Sequence, residues 1–233
     1  MAANKRLSGL ETTRASAPGK RPQAHAGRIP ASSLAAHDAD LLAVARKIFC
    51  ENGFERTTIL AISREAHVSP KTIYSRYGGK EGIFGASIRV RADDTVEPLR
   101  APITRKDDVY AALYEFAMRL LAVTSAREAV LIQRLVIAES QRFPEIGEKF
   151  LNAGPRNGVR LLSQYFGLAE AARYLTVPSP ELAAEMFIGA LLGIPARLAL
   201  IPATAWYSPQ ERRKRAVAAV NLFLAAYSIA TDA

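Results

Sequence analysis

Apolar residues recur at helical spacing from Ala36 onward: Leu41, Ala45, Ile48 and Phe49 fall three or four positions apart, and Asn52-Gly53 supplies a left-handed stop. Thr57 and Thr58 then offer N-caps to a short helix over residues 59–66, in which Leu60, Ile62 and Ala66 can face inward. Val68-Ser69-Pro70 gives a buried anchor, a cap and a proline at the first helical position, so a third helix of barely two turns is expected over residues 71–77, ended by Gly78-Gly79. A fourth is predicted over 80–91, with Ile83, Phe84 and Ile88 as its apolar stripe. Beyond Pro98 and Pro102 the spacing predicts helices near 105–124, 127–141, 144–166, 180–200 and 209–230. Pro155 should break or kink the third of these and Pro195 should bend the fourth, while residues 167–178 read as a loop or a further helical turn. No strand-like alternation intervenes, so the predicted fold class is all-α.

Composition bounds what such a chain does. At 233 residues, 49% hydrophobic and 23% charged, it can bury a sizeable core in water and is neither wholly disordered nor collagenous. The single cysteine, Cys50, allows no intramolecular disulfide, which fits a reducing compartment. The net charge of +9 is unevenly placed: residues 1–35 carry an excess of +5, residues 36–95 of +1 and residues 96–233 of +3. The leading segment is rich in Ala, Pro, Gly, Ser and Arg, with almost nothing large and apolar, so it is expected to be disordered. It reads either as a solvated tail or as a DNA-binding arm whose Arg21 and Arg28 track phosphates or enter a minor groove. No signal-like apolar stretch and no run of ~18 apolar residues is found, so a cytoplasmic protein without membrane contact is expected.

The two short helices joined by a tight turn have the proportions of a helix-turn-helix, whose second member enters the major groove of DNA. Ser69, Lys71, Thr72, Tyr74, Ser75, Arg76 and Tyr77 crowd donors onto a helix whose one clear core residue is Ile73, helped by Val68. Packing alone explains such a helix poorly, although a polar surface helix in an unrelated bundle is the alternative. Its N-terminus presents free amides and a partial positive charge, both suited to phosphate. Lys80, just past the Gly78-Gly79 turn, stands where it could grip a backbone phosphate.

The run Leu41-Leu42 to Ile48-Phe49, Gly53-Phe54, Thr57-Thr58-Ile59, Ile62, Ala66, Val68-Ser69, Thr72-Ile73-Tyr74, Tyr77 and Lys80-Glu81 closely resembles the DNA-binding region of TetR/AcrR-type transcriptional regulators over about 45 continuous residues. The resemblance implies a dimer with an N-terminal helix-turn-helix and a larger C-terminal domain for ligand sensing and dimerisation. The chain then divides into a disordered basic tail (1–34), a helix-turn-helix DNA-binding domain (35–95) and a helical ligand-binding and dimerisation domain (96–233). By position, the resemblance makes Thr58, Lys71, Thr72, Tyr74, Tyr77 and Lys80 DNA-contacting residues. Tyr74, Tyr77 and Lys80 would meet phosphates, while the start of the third helix and Arg76 would be better placed for bases. Ser69 and Ser75 complete the candidate site.

The sequence departs from the family pattern at three places. His67 stands where glycine is usual between the two helices, which predicts a slightly strained turn. Pro70-Lys71 makes the base-facing surface bulkier and more cationic, and Gly78-Gly79 replaces a polar pair, which changes the reach of Lys80. Further along, Leu131 to Pro155 looks like the AefR-like group of C-terminal domains, which supports a repressor role but is tied to no one ligand; the expected function is a dimeric repressor released from a palindromic operator by an unidentified small molecule.

The second half carries its own signals. Residues 186–196 have no charge, and residues 216–230 contain only Asn221, Tyr227 and Ser228 as polar side chains, so these helices need cover on more than one side. Packing against symmetry mates in a homodimer would provide it, with Gly189 and Gly193 permitting close approach; a deep monomeric core is the other possibility. Tyr110, Tyr114, Met118 and Phe187 are candidates for a ligand pocket, with ordinary core as the commoner role.

An enzyme is disfavoured. His25, His37 and His67 have no nucleophile or carboxylate arranged around them, and Gly78-Gly79-Lys80 lacks the upstream glycine and following hydroxyl of a phosphate loop. Cys50 reads as a packed small residue, and Arg212-Arg213-Lys214-Arg215 as a solvated first turn. No cofactor or metal is implied. A helical scaffold, or a DNA-binding protein without a ligand response, is the competing reading.

Overall fold

The computed structural model describes residues 31–104, 108–201 and 208–227, and within them ten α-helices and no β-strand. Residues 1–30 lie outside the described residues, and with them Arg21, Arg28 and most of the expected disordered tail (1–34), whose last four residues, 31–34, instead belong to a helix.

Helix α1 (Ala31–Arg56) begins ahead of the first periodic residue and breaks at Gly53, whose φ of 78° and ψ of 170° lie outside the helical region. Buried Thr57 fixes the break by donating its hydroxyl to the Gly53 carbonyl at 2.7 Å. The neighbouring Thr58 caps α2 (Ile59–Glu65), accepting from the Ala61 amide at 3.1 Å. Between α2 and α3 (Pro70–Tyr77), the His67 amide donates to the Arg64 carbonyl and the Val68 amide to the Ser63 carbonyl. This is the Schellman closure, and it places His67 at the left-handed position with φ 53°. The strain expected from a histidine at this place is therefore located in its backbone. Ser69 caps α3 and Gly78, left-handed at φ 77°, ends it.

Helix α4 (Lys80–Arg100) runs well past the predicted end near residue 91 and carries Pro98 in its last turn. The helix persists because Ala92, Val96 and Leu99 are buried, and because Arg119 Nη1 donates to the Pro98 carbonyl at 3.0 Å, satisfying one of the carbonyls that every helix end leaves open. At its start, Gly82 lies so close to α3 that a Cβ there would stand 1.6 Å from the Tyr77 carbonyl oxygen. Only glycine lets α4 approach the end of α3 this closely.

After a 3-10 turn at Pro102–Thr104 follow α5 (Val109–Thr124), α6 (Arg127–Glu139), α7 (Pro144–Ala153), α8 (Pro155–Ala171), α9 (Pro180–Leu198) and α10 (Pro209–Tyr227). Pro155 divides α7 from α8, as its sequence position predicts. Helix α8 takes up part of the stretch left open between 167 and 178 and closes with a second left-handed residue, Arg173, at φ 60°. The bend expected at Pro195 in α9 falls two residues earlier, on Gly193, whose φ of 32° and ψ of −136° a glycine adopts without a Cβ clash.

Two apolar clusters hold the helices together. In the first, the rings of Phe49, Phe54 and Phe84 meet at centroid distances of 4.7 to 5.7 Å above Ile62 and Ile73. Its far wall comes from the second half of the chain: Ile132 and Val136 on α6, Ile146 on α7, and Phe143, whose ring lies 5.2 Å from Phe54. Full burial of an aliphatic side chain contributes about 1.5–3 kcal/mol, so the helix-turn-helix depends on α6 and α7 for its stability. The second cluster gathers Leu113, Phe116, Leu162, Phe166, Phe187 and Phe223, with the Phe166 and Phe223 rings stacked at 4.6 Å. Helix α4 belongs to both, through Ile83, Phe84 and Ile88 at one end and Val96 and Leu99 at the other. No described helix is long and apolar enough to cross a membrane.

Candidate nucleic-acid interface

Helix α3 has one wholly buried side chain, with Tyr77 packed beside it against the same apolar cluster. Ile73 is wholly buried, whereas Ser69, Lys71, Tyr74, Ser75 and Arg76 are exposed and Thr72 and Tyr77 are half-buried. The N-cap is doubly tied: Ser69 Oγ accepts from the Thr72 amide at 3.1 Å and lies 2.8 Å from Thr72 Oγ1. These two hydroxyls therefore serve the helix terminus while remaining at its surface. Lys71 follows at once and has no protein partner among the described residues, and Tyr74 turns 57% of its surface to solvent. Exposed Thr58, at the start of α2, joins them as a cap.

Three of the candidates are held by the protein itself. Arg76 Nη1 forms an ion pair with Asp38 of α1. Burial pushes the Tyr77 phenol above its ordinary value, and the Asp38 charge beside it adds to the rise, so it stays protonated and able to donate. Lys80 turns back toward α1: its Nζ donates to the carbonyls of Phe54 and Glu55 at 3.1 and 3.2 Å and sits 4.5 Å from the centre of the Phe54 ring. An ammonium at the negative end of a helix is favourably placed there, and it staples the start of α4 to the end of α1. None of these three partnerships is legible from spacing, because each joins residues far apart in the chain.

The helical half holds an open cavity of about 860 Å³ lined by residues of α4 to α9. Ile88, Ala92, Val96 and Leu99 form its α4 wall, facing Ile132 of α6, Phe150 of α7, Val159 of α8, and Ile188 and Leu192 of α9. Tyr110, Tyr114, Met118 and Phe187 do not line it: Phe187 is core, Tyr114 and Met118 pack against that core, and Tyr110 is 42% exposed. Pro155 does line it, and the break it makes between α7 and α8 opens part of the wall. Leu182, Met186 and Ile194 on α9 and Val217 and Leu222 on α10 are large apolar side chains left exposed, and the Cβ position of Gly189 faces open space. Cys50 is half-buried and its thiol is pushed up to about 11, first by burial and then by the charge of Glu128, which leaves little thiolate near neutral pH.

Comparison with known proteins agrees with this geometry. Residues 41–86 match the family of bacterial regulatory proteins called tetR, and residues 111–229 match the C-terminal domain of AefR-like transcriptional repressors. The HTH-type transcriptional regulator UidR of Escherichia coli (strain K12) is 27% identical over 114 residues, which span 48% of this chain and 56% of UidR. The match thus covers about half the length of that curated relative. A TetR-family transcriptional regulator from Mesorhizobium loti superposes with a TM-score of 0.79 at 26% identity, over 84% of this chain and 98% of that one. The flavonoid-responsive regulator FrrA superposes with a TM-score of 0.71 at 27% identity, over 84% of this chain and all (100%) of its own. Regulators of this kind bind DNA and are not enzymes. With its helix-turn-helix and its AefR-like second domain both matched, the chain belongs to the TetR family of DNA-binding transcriptional regulators.

Proposed function

We propose that this regulator is a homodimeric repressor that leaves a palindromic operator when a small molecule occupies the cavity between α4 and α9. The observation that carries the reading is shared packing: Ile88, Ile132 and Phe150 line the cavity and also pack in the apolar cluster of the helix-turn-helix. Any ligand that displaces these side chains alters the support of α1 and α3, and so favours one placement of the reading head over another. FrrA, of the same fold, is a flavonoid-responsive regulator, which supports a small-molecule effector here as well.

Direct contacts fall to the exposed side chains of α3 and its approach: Lys71, Tyr74, Ser75 and Thr58, with Ser69 and Thr72 at the helix start. Arg76, Tyr77 and Lys80 act in part through the pairings that orient α3 and α4. The exposed apolar residues of α9 and α10 supply the dimer surface, and two copies of α3 held roughly 34–36 Å apart would meet successive major grooves. The functional boundaries at residues 34 and 95 fall inside helices, since α1 begins at Ala31 and α4 runs on to Arg100.

Mapping of genomic binding sites followed by fluorescence anisotropy on the recovered operator tests the reading. The expected results are a two-fold symmetric site, sedimentation as a dimer, and a slope of log affinity against log salt near −5, from ~0.9 per phosphate over about six phosphates. Release of DNA by a compound that binds the cavity completes the test. A monomer, or binding that no cavity ligand alters, would point instead to a constitutive DNA-binding protein or a scaffold.

A further inference from the structure

The charged residues around the cavity are not equivalent. Arg156, Arg160, Glu181 and Glu185 line it from exposed positions at its rim, and Arg156 is already paired with Glu148 and Asn152. Arg91 alone among the charged lining residues is withdrawn from solvent, with 14% of its side chain exposed, between the apolar walls of α4 and α6. Its Nε donates to Glu128 Oε2 at 3.2 Å and its Nη1 to Thr95, while Nη2 has no protein partner among the described residues. Glu128 is shared, since its other oxygen takes the shorter bond, 2.6 Å, from Nε of Arg46 on α1. Two guanidinium groups therefore divide one carboxylate, and a surplus positive charge remains beside an apolar cavity.

We propose that the cavity selects organic anions: molecules with an apolar body whose acidic oxygen group, a carboxylate or sulfonate, seats on the Arg91 guanidinium. A fork of N–H donors fits such oxygens, and low local dielectric strengthens the pairing. The volume of about 860 Å³ admits a body of drug size against Ile132, Phe150 and Ile188. An anion on Arg91 competes with Glu128, which also holds Arg46, so occupancy reaches α1 of the reading head through two consecutive ion pairs. This proposal rests on the reading of the cavity as the sensing site and adds the chemical class of its ligand.

A matched pair of fluorescent probes tests it: 8-anilinonaphthalene-1-sulfonate, and N-phenyl-1-naphthylamine, which has the same rings without the acid. Both are titrated into the full-length wild type, Arg91→Gln and Arg91→Lys, with circular dichroism checking that each is folded. The expected result is roughly tenfold tighter binding of the sulfonate by the wild type, the size of one charge-assisted hydrogen bond. Arg91→Gln should erase that preference while binding the neutral probe within about twofold of wild type, and Arg91→Lys should keep part of it. Equal affinities for the two probes, a preference that survives in Arg91→Gln, or no binding of either probe overturns the proposal. Those outcomes leave the ligand-released repressor standing, because that reading is decided separately by whether a cavity ligand releases DNA.

Discussion

Arg76, on the exposed side of α3, is ion-paired with Asp38 of α1. The pair is partly solvated, with side-chain exposures of 34% and 40%, so its own contribution to stability is below about 1 kcal/mol. On the proposed reading of α3 as the DNA-contacting helix, its larger effect is to fix the direction of a guanidinium that would otherwise be free to reach phosphate or base. Asp38→Asn should therefore leave the melting temperature nearly unchanged, tighten non-specific DNA binding several-fold and steepen its salt slope by about 0.9 for each arginine freed. The same variant should lower the Tyr77 phenol titration toward its ordinary value, since the Asp38 charge, after burial, is what raises it. Anisotropy at several salt concentrations and ultraviolet titration of tyrosine check the two halves of this expectation.

Gly82 carries the junction of α3 and α4. Gly82→Ala forces a shift of the Tyr77 carbonyl, because the new methyl would lie 1.6 Å from it. A loss of about 1–3 kcal/mol in denaturant unfolding is expected, together with weakened operator binding. Gly85→Ala, whose nearest neighbour is the flexible Lys149 side chain at 3.8 Å, should be tolerated and serves as the control.

His67 pays a backbone cost that glycine avoids. His67→Gly should stabilise the protein by up to about 1 kcal/mol, since the residue already adopts φ 53°. For a chain of this size that corresponds to a rise in melting temperature of roughly 2–4 °C, with operator affinity retained.

Glu128 gives the fold a defined acid sensitivity. Burial alone would raise its carboxyl, but hydrogen bonds and charge from Arg46 and Arg91 outweigh burial and hold it below the ordinary value of 4.5. A depressed carboxyl contributes stability above the unfolded value, and that contribution is lost as pH falls through the folded one. Wild-type melting temperature should thus drop as pH falls below about 4.5. Glu128→Gln should lose the contribution at neutral pH and show a shallower acid limb.

Much of this molecule is written locally. The signals Asn52-Gly53, Thr58, Val68-Ser69-Pro70 and Gly78 each specify a break or a cap through their own backbone preferences, and each appears at the place it predicts. The exposed candidates on α3 follow from Ile73 being its one wholly buried residue. The sequence misleads where tertiary burial outweighs a local signal: α4 passes through Pro98 because Val96 and Leu99 are buried. It is silent where function depends on distant partners. Nothing in the spacing shows that Lys80 binds the end of α1, that α6 and α7 complete the head, or that Arg91 rather than Tyr110 or Phe187 reaches the cavity.

The central claim is that the exposed face of α3 reads DNA. Operator affinity of the double variant Lys71→Ala, Tyr74→Ala tests it most directly, because both side chains are exposed and neither makes a side-chain hydrogen bond or ion pair among the described residues. An unchanged unfolding midpoint with at least about a hundredfold loss of operator binding is predicted, from roughly 1–3 kcal/mol per contact. Affinity within about twofold of wild type in the folded variant would contradict it.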